Sequence, residues 1–263
     1  MSDLVAEIEL AFPLLGLASA SIDNRYISKV FRELGPLRRR IARTDAPLLV
    51  LATVIDKAYP SGHTNTVYLK KYVGEPLKSE GEKGAVLVKA AVDPLKDEDA
   101  MDVETEISTP AAIETPGASI PEVDLYIHLL VQVVLLDLKK LEELDNFNSN
   151  VVELTQSYNK RSLDLIQAKL WFYIYRTKEL LNDNISIRPH MLRALRTATL
   201  RHDLETSGSL ITLLLRSYLL THDINQASNL VEKAEFPETA SNALSARYYY
   251  DFARINDIQL DYS

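Results

Sequence analysis

Residues 192–234 constrain the fold of this chain more than any other stretch. They read LRALRTATLRHDLETSGSLITLLLRSYLLTHDINQASNLVEKA. Ile211, Leu214 and Tyr218 recur at three- and four-residue steps, which places them on one face of a helix. After a short polar interruption, Ala227, Val231 and Ala234 repeat the pattern. Small alanines let the second helix lie close against the first, and the large residues fill the space between one such pair and the next. A single hairpin of this kind cannot bury its own apolar face, so it demands neighbours of the same type.

Composition agrees with a helical stack. Hydrophobic residues make up 46% of the 263, enough for a sizeable core, and there are only 8 glycines. So few glycines disfavour an all-β chain rich in tight turns. Cysteine is absent, which removes disulfides, thiolate metal sites and cysteine nucleophiles. The N-terminus, MSDLVAEIEL, lacks the basic n-region of a secretory signal. Residues 123–138 form the longest apolar run, but Asp124, His128, Gln132 and Asp137 interrupt it. A bilayer span needs about 20 apolar residues, so this run reads as a buried helix.

Taken in order, residues 4–20 are apolar and helical, with a break marked by Pro13. From 24 to 41, Ile27, Val30, Phe31, Leu34, Leu37 and Ile41 fall on one face. Arg38, Arg39 and Arg40 close that helix, where cations suit the dipole; a phosphate or nucleic-acid site is the sharper alternative, weakened because no aromatic residue interleaves. Asp45 is a candidate N-cap ahead of Pro47 and a helix over 48–59, followed by a short helical piece over 66–73. Residues 74–120 change character. They hold eleven acidic residues against four lysines, a net −7 of the chain's −8, and no aromatic residue. Such a segment cannot bury enough apolar area to offset its chain entropy. Thr109-Pro110 and Thr115-Pro116 within it read as turn dipeptides, with proline-directed phosphorylation as the alternative. Deleting 78–116 is expected to leave the fold intact. Helix resumes over 123–144, 151–158, 162–181, 191–201, 209–221, 224–234 and 241–262.

With Tyr218 as anchor, six of seven positions fit the tetratricopeptide template, Leu215 standing where a small residue is usual. The expected fold is therefore all-α: a tetratricopeptide-like helical-hairpin repeat array, a right-handed solenoid, with a disordered acidic insert. Its divisions are 1–73 (N-terminal helical segment), 74–120 (flexible acidic insert) and 121–263 (repeats). A non-repetitive helical bundle is the alternative.

No catalytic constellation is present. The histidines are His63, His128, His190, His202 and His222, and none forms H-E-x-x-H. His202-Asp203 and His222-Asp223, read as helical neighbours, diverge by about 100° and form no dyad. His128 reads as a satisfied core histidine. No phosphate-binding loop, dinucleotide fingerprint or nucleophile elbow occurs. Neither a cofactor nor a metal is expected, and the chain is not expected to be an enzyme.

Arg193, Arg196 and Arg201 spread over about 140° of helical arc, with Leu192, Leu195 and Ala198 largely opposite. They fit a solvated face with local ion pairs to Asp203, Glu205 or Glu179. They also fit a basic face that binds an acidic partner. Nucleic acid is the third and weakest reading.

LRALRTATLRHD and the SGSLITLLLRSYLLTHDINQASNLVEKAEFPETASN after it, together with IDNRYISKVFRELGPLRR, STPAAIETPGASIPEVDLYIHLLVQVVLLD, NKRSLDLIQAKLWFYIYR and ARYYYDFARINDIQLDYS, resemble the PCI family of proteasome lid subunits. The resemblance runs through essentially the whole chain. It implies a non-catalytic scaffold of helical hairpins that supports ubiquitin-dependent degradation through protein contacts, in the cytoplasm and nucleus. The partners it implies are other lid subunits, namely subunits 7 and 12 and the small acidic lid protein, the last suiting Arg193, Arg196 and Arg201. Neither nucleic acid nor membrane is implied. The family continues into further repeats and a winged-helix PCI module, so 1–263 corresponds to an N-terminal portion without that module. Asp251 and Asp257 stand where the family has apolar or small residues, and a charge facing a core there needs a partner. The alternative function is a stand-alone tetratricopeptide-like adaptor, which a concave groove lined by Lys, Arg and Asn favours.

Overall fold

The computed structural model describes residues 2–59, 64–79, 120–238 and 240–259. Among the described residues every regular element is a helix, apart from one 3-10 turn at Arg161–Leu163. The two Thr-Pro dipeptides and most of the acidic insert lie outside the described residues.

The chain divides into two compact units, Met1–Leu138 and Lys139–Ser263. In the first, α1 (Ser2–Glu9) and α2 (Ala11–Ser21) are separated at Leu10, and Pro13 sits in the first turn of α2, where its missing N–H costs little. By length and composition, residues 3–21 would suffice to cross a membrane. In the fold they turn Val5, Ile8, Phe12 and Leu15 inward against the helices that follow. α3 (Asn24–Ala42) starts at Asp23, whose carboxylate accepts from Arg25 N at 2.9 Å. Its buried face is Ile27, Val30, Leu34, Leu37 and Ile41, with Phe31 half-buried at its edge. Each of those five side chains contributes roughly 1.5–3 kcal/mol of gross burial. Two of the three arginines are engaged: Arg38 Nε donates to Asp137 Oδ2 at 2.7 Å and Arg40 pairs with Glu7. α4 (Pro47–Ala58) begins at Pro47, but Ala46 rather than Asp45 holds the N-cap position and makes no side-chain cap. α5 (Thr64–Ser79) continues beyond Val73, where the flexible segment was expected to start.

α6 (Pro121–Asp137) is buried almost all round, from Glu122 to Leu135. An all-round apolar helix needs cover on every side, and α2, α3 and α4 supply it. The division at Pro121 expected from the sequence therefore falls instead after Leu138, and α6 belongs with the N-terminal helices. Two of its buried polar residues, Asp124 and His128, find partners inside. Asp124 accepts from the Tyr59 hydroxyl and, at 3.2 Å, from Asn65 Nδ2. His128 is buried with Nδ1 2.8 Å from the Asp124 carbonyl, as expected of a core histidine. Burial pushes its pKa down, and the nearby Asp124 charge opposes this without reversing it, so the ring is neutral.

The second unit holds α7 (Leu141–Ser157), α8 (Asp164–Leu180), α9 (Arg188–Leu200), α10 (Leu204–Leu220), α11 (Ile224–Lys233) and α12 (Asn242–Gln259). The single helix expected over 123–144 is two helices. Lys139 adopts a left-handed backbone (φ 57°) that stops the first, and the second absorbs the short piece expected over 151–158. α10 is the centre of the unit, packed by α8, α9, α11 and α12 and buried along nearly its whole length. Leu210, Leu214 and Leu215 are fully enclosed, and Tyr218 and Ala227 are buried where the hairpin template places them; Val231 and Ala234 are half-buried.

Three helix ends in this unit use one device. Leu180-Leu181-Asn182-Asp183, Leu200-Arg201-His202-Asp203 and Leu220-Thr221-His222-Asp223 each put the third residue in the left-handed region, at φ 58°, 54° and 60°. Each aspartate N–H returns to a carbonyl five residues back, to Lys178, Ala198 and Tyr218, at 2.9 Å in all three. This is the closure that satisfies orphan carbonyls at a helix C-terminus. The two His-Asp pairs are therefore turn residues, not helical neighbours.

Candidate docking surface

The surface that merits scrutiny is built on α9 and the groove beside it. α9 begins with Arg188 and Pro189. A cation at a helix N-terminus opposes the dipole, so Arg188 needs other partners. It is buried, donating from Nε to Ser217 Oγ at 2.8 Å, from Nη2 to the Ser217 carbonyl at 3.0 Å and to the Thr221 hydroxyl, and from Nη1 to Asp223 at 2.7 Å. Its guanidinium lies 4.6 Å from the Tyr218 ring centroid. It fixes α9 to the far end of α10 and thereby sets the pitch of the surface. Sequence reasoning passed over it; the signal was an arginine placed against the dipole just before a helix-starting proline.

The three arginines singled out in the sequence do not share one face. Arg193 and Arg196 are exposed on α9, and Arg201 is its C-cap. Arg201 donates from Nε to Asn159 Oδ1 at 2.7 Å and from Nη2 to the Tyr158 carbonyl at 3.2 Å, pinning the connector between α7 and α8. Arg193 and Arg201 border a notch walled by α7, α8, α9 and α10, whereas Arg196 turns into the larger groove. The acids expected to pair with them are engaged elsewhere. Asp203 caps α10 through Thr206 N at 3.0 Å, and Glu179 accepts from Arg176 and Arg216. Lys169 is the cation that counters Glu205, whose carboxyl burial and the Asp203 charge hold above the usual range.

The groove encloses about 1460 Å³ between α9, α10, α11, the 234–238 segment and α12. Leu195, Leu230, Phe236, Tyr248 and Phe252 give it apolar walls, and Arg196, Asn229, Lys233, Glu235 and Glu238 also line it. Phe236 stacks on Tyr248 with centroids 4.2 Å apart. α12 is otherwise thinly covered: only Ile255 is buried, and Tyr249 and Tyr250 are each 63% exposed. Leu200, at 83% exposed, extends the apolar surface at the end of α9. Asp257 is exposed and Asp251 only half-buried near Arg216, Arg247 and Arg254, so neither charge is stranded in a core.

Among the described residues no group of three or more His, Cys, Asp or Glu side chains is placed to hold a metal. Asp164 has its pKa pushed up to about 7, by burial first and by Asp203 second, with Arg201 and Arg161 opposing. Its carboxyl borders neither the groove nor the notch.

Comparison with known proteins gives one consistent relation. A family model described as PSMD3-like, N-terminal TPR repeats matches residues 5–263. The 26S proteasome regulatory subunit RPN3 of Saccharomyces cerevisiae is 35% identical over 99% of this chain and 50% of its own length. The probable 26S proteasome non-ATPase regulatory subunit 3 of Anopheles gambiae is 38% identical over 94% of this chain and 44% of its own. The corresponding Dictyostelium discoideum subunit is 33% identical over 95% and 46%. The chain thus spans about half the length of these curated relatives.

Proposed function

Because the chain belongs to the PSMD3-like family, over its N-terminal TPR repeats, we propose that it is a non-catalytic scaffold portion of a proteasome regulatory-particle subunit. It supports ubiquitin-dependent degradation by holding other subunits rather than by acting on substrate. The observation that carries this reading is the surface around α9–α12: large, apolar, rimmed with charge and without chemistry. Its partners are other lid subunits, with subunits 7 and 12 and the small acidic lid protein the leading candidates, in the cytoplasm and nucleus. Of the three arginines, Arg193 and Arg196 are open to a partner, while Arg201 positions the connector beneath them. The test is affinity purification of the tagged chain at low and high salt. Enrichment of lid subunits that R193E and R196E together reduce supports the reading; recovery of the chain with no regulatory-particle subunit above background overturns it.

A second reading has its own observation. Arg196, Asn229 and Lys233 line the groove, the donor set expected of a peptide-holding adaptor. Binding of a short peptide by the chain, with no lid subunit recovered, would favour that reading.

A further inference from the structure

The notch between α7, α8, α9 and α10 holds donors that the fold does not use. It encloses about 250 Å³. Arg193, Thr197 and Arg201 follow one another at four-residue steps along its edge, which keeps them on one face of α9. Arg201 is already oriented by Asn159 and the Tyr158 carbonyl. Arg193 is exposed, and its guanidinium makes no hydrogen bond or ion pair with the described residues. Trp171, only 2% exposed, is part of the lining, and its indole N–H donates to none of the described residues. Gln156 adds an exposed amide at the rim. One carboxylate shares the lining, that of Asp203, and it is directed to Thr206 N in capping α10. The lining therefore sums to two guanidinium groups against one carboxylate.

We infer that this notch binds a phosphomonoester presented by a phosphorylated serine or threonine side chain of a partner. Arg193, Arg201, Trp171 and Gln156 supply more donors than the two oxygens of a carboxylate can use, and they suit the three acceptor oxygens and near-double charge of a phosphate. Paired guanidinium groups are the usual recognition element for that group. Arg196 has no part in it, since it faces the other groove. The inference does not depend on the proteasome reading, because it concerns the isolated chain.

Trp171 is the chain's one tryptophan, so its fluorescence and indole N–H resonance report the notch alone. The full chain is titrated at fixed ionic strength with O-phospho-L-serine, inorganic phosphate and L-glutamate. The expected result is a saturable indole shift with phosphoserine that R193Q weakens about tenfold and R196Q leaves within about twofold. Circular dichroism of R193Q confirms that α9 stays folded. No saturable shift, meaning that only water occupies the notch, overturns the inference. So does glutamate binding as tightly as phosphoserine, which would make it a carboxylate site. Inorganic phosphate binding as tightly as phosphoserine would assign the notch to the free ion and overturn the side-chain assignment.

Discussion

Replacing Arg188 with alanine tests the staple that sets α9 against α10. The side chain donates to Ser217 Oγ and to the Ser217 carbonyl at 2.8 and 3.0 Å from a buried position. Hydrogen bonds from a charged donor contribute about 1.5 kcal/mol each at the low end. Its stacking over Tyr218 adds about 1 kcal/mol. The Asp223 end is open to water and is left out of the sum. These contributions share one side chain and do not simply add, so the expected loss is about 3 kcal/mol, or a fall of about 10 °C in Tm for a unit of this size. Urea unfolding followed by Trp171 fluorescence is the assay, because Trp171 is buried within the same unit. R188K keeps the charge but lacks the planar fork, and is expected to recover no more than half of the loss. Two results would refute the reasoning: R188A within about 0.5 kcal/mol of the parent chain, or R188K indistinguishable from it.

Other outcomes follow from the same structure. Asp164 has its folded-state pKa raised to about 7, so its contribution to stability is fully present below the unfolded value near pH 4. That contribution is lost as pH rises through about 7; D164N is therefore expected to stabilise the chain at pH 8 relative to the parent and to flatten the fall between pH 5 and 8, and a variant equally steep over that window would contradict this. Leu214 is fully enclosed, so L214A is expected to lose about 2–5 kcal/mol, while L200A, at a position 83% exposed, stays within about 0.5 kcal/mol in the same urea assay. His128, its pKa lowered mainly by burial with Asp124 opposing, is expected to stay neutral at pH 6 in a histidine NMR titration; a charged imidazole there would show the first unit to be wetter than described.

The helical faces were legible where a period was strict. Ile27 to Ile41 gave the buried face of α3, and Ile211, Leu214, Tyr218 and Ala227 gave the packed side of the α10–α11 hairpin. Periodicity says which side of a helix is buried, not what buries it. For that reason α6 was grouped with the helices after it, although its cover comes from α2, α3 and α4, far away in sequence. The break at Lys139 and the turns at His202 and His222 escaped notice because the left-handed residue in each is not glycine. In retrospect the recurring Leu-x-(Asn/His)-Asp was a turn signature. The site was less legible than the fold. A helical wheel placed the three arginines within one arc, but the neighbours on either side of α9 divide them between two concavities. Nothing local in the sequence specifies those neighbours.

The proposal that this chain is a docking scaffold of the proteasome regulatory particle is tested most directly by reconstitution. Recombinant lid subunits would be assembled without subunit 3, with and without this chain added, and the products weighed by native mass spectrometry. A stoichiometric complex containing the chain and at least one lid subunit, diminished by R193E and R196E together, is the expected result. A chain that remains free at every ratio, while the other subunits assemble as they do without it, would contradict the account.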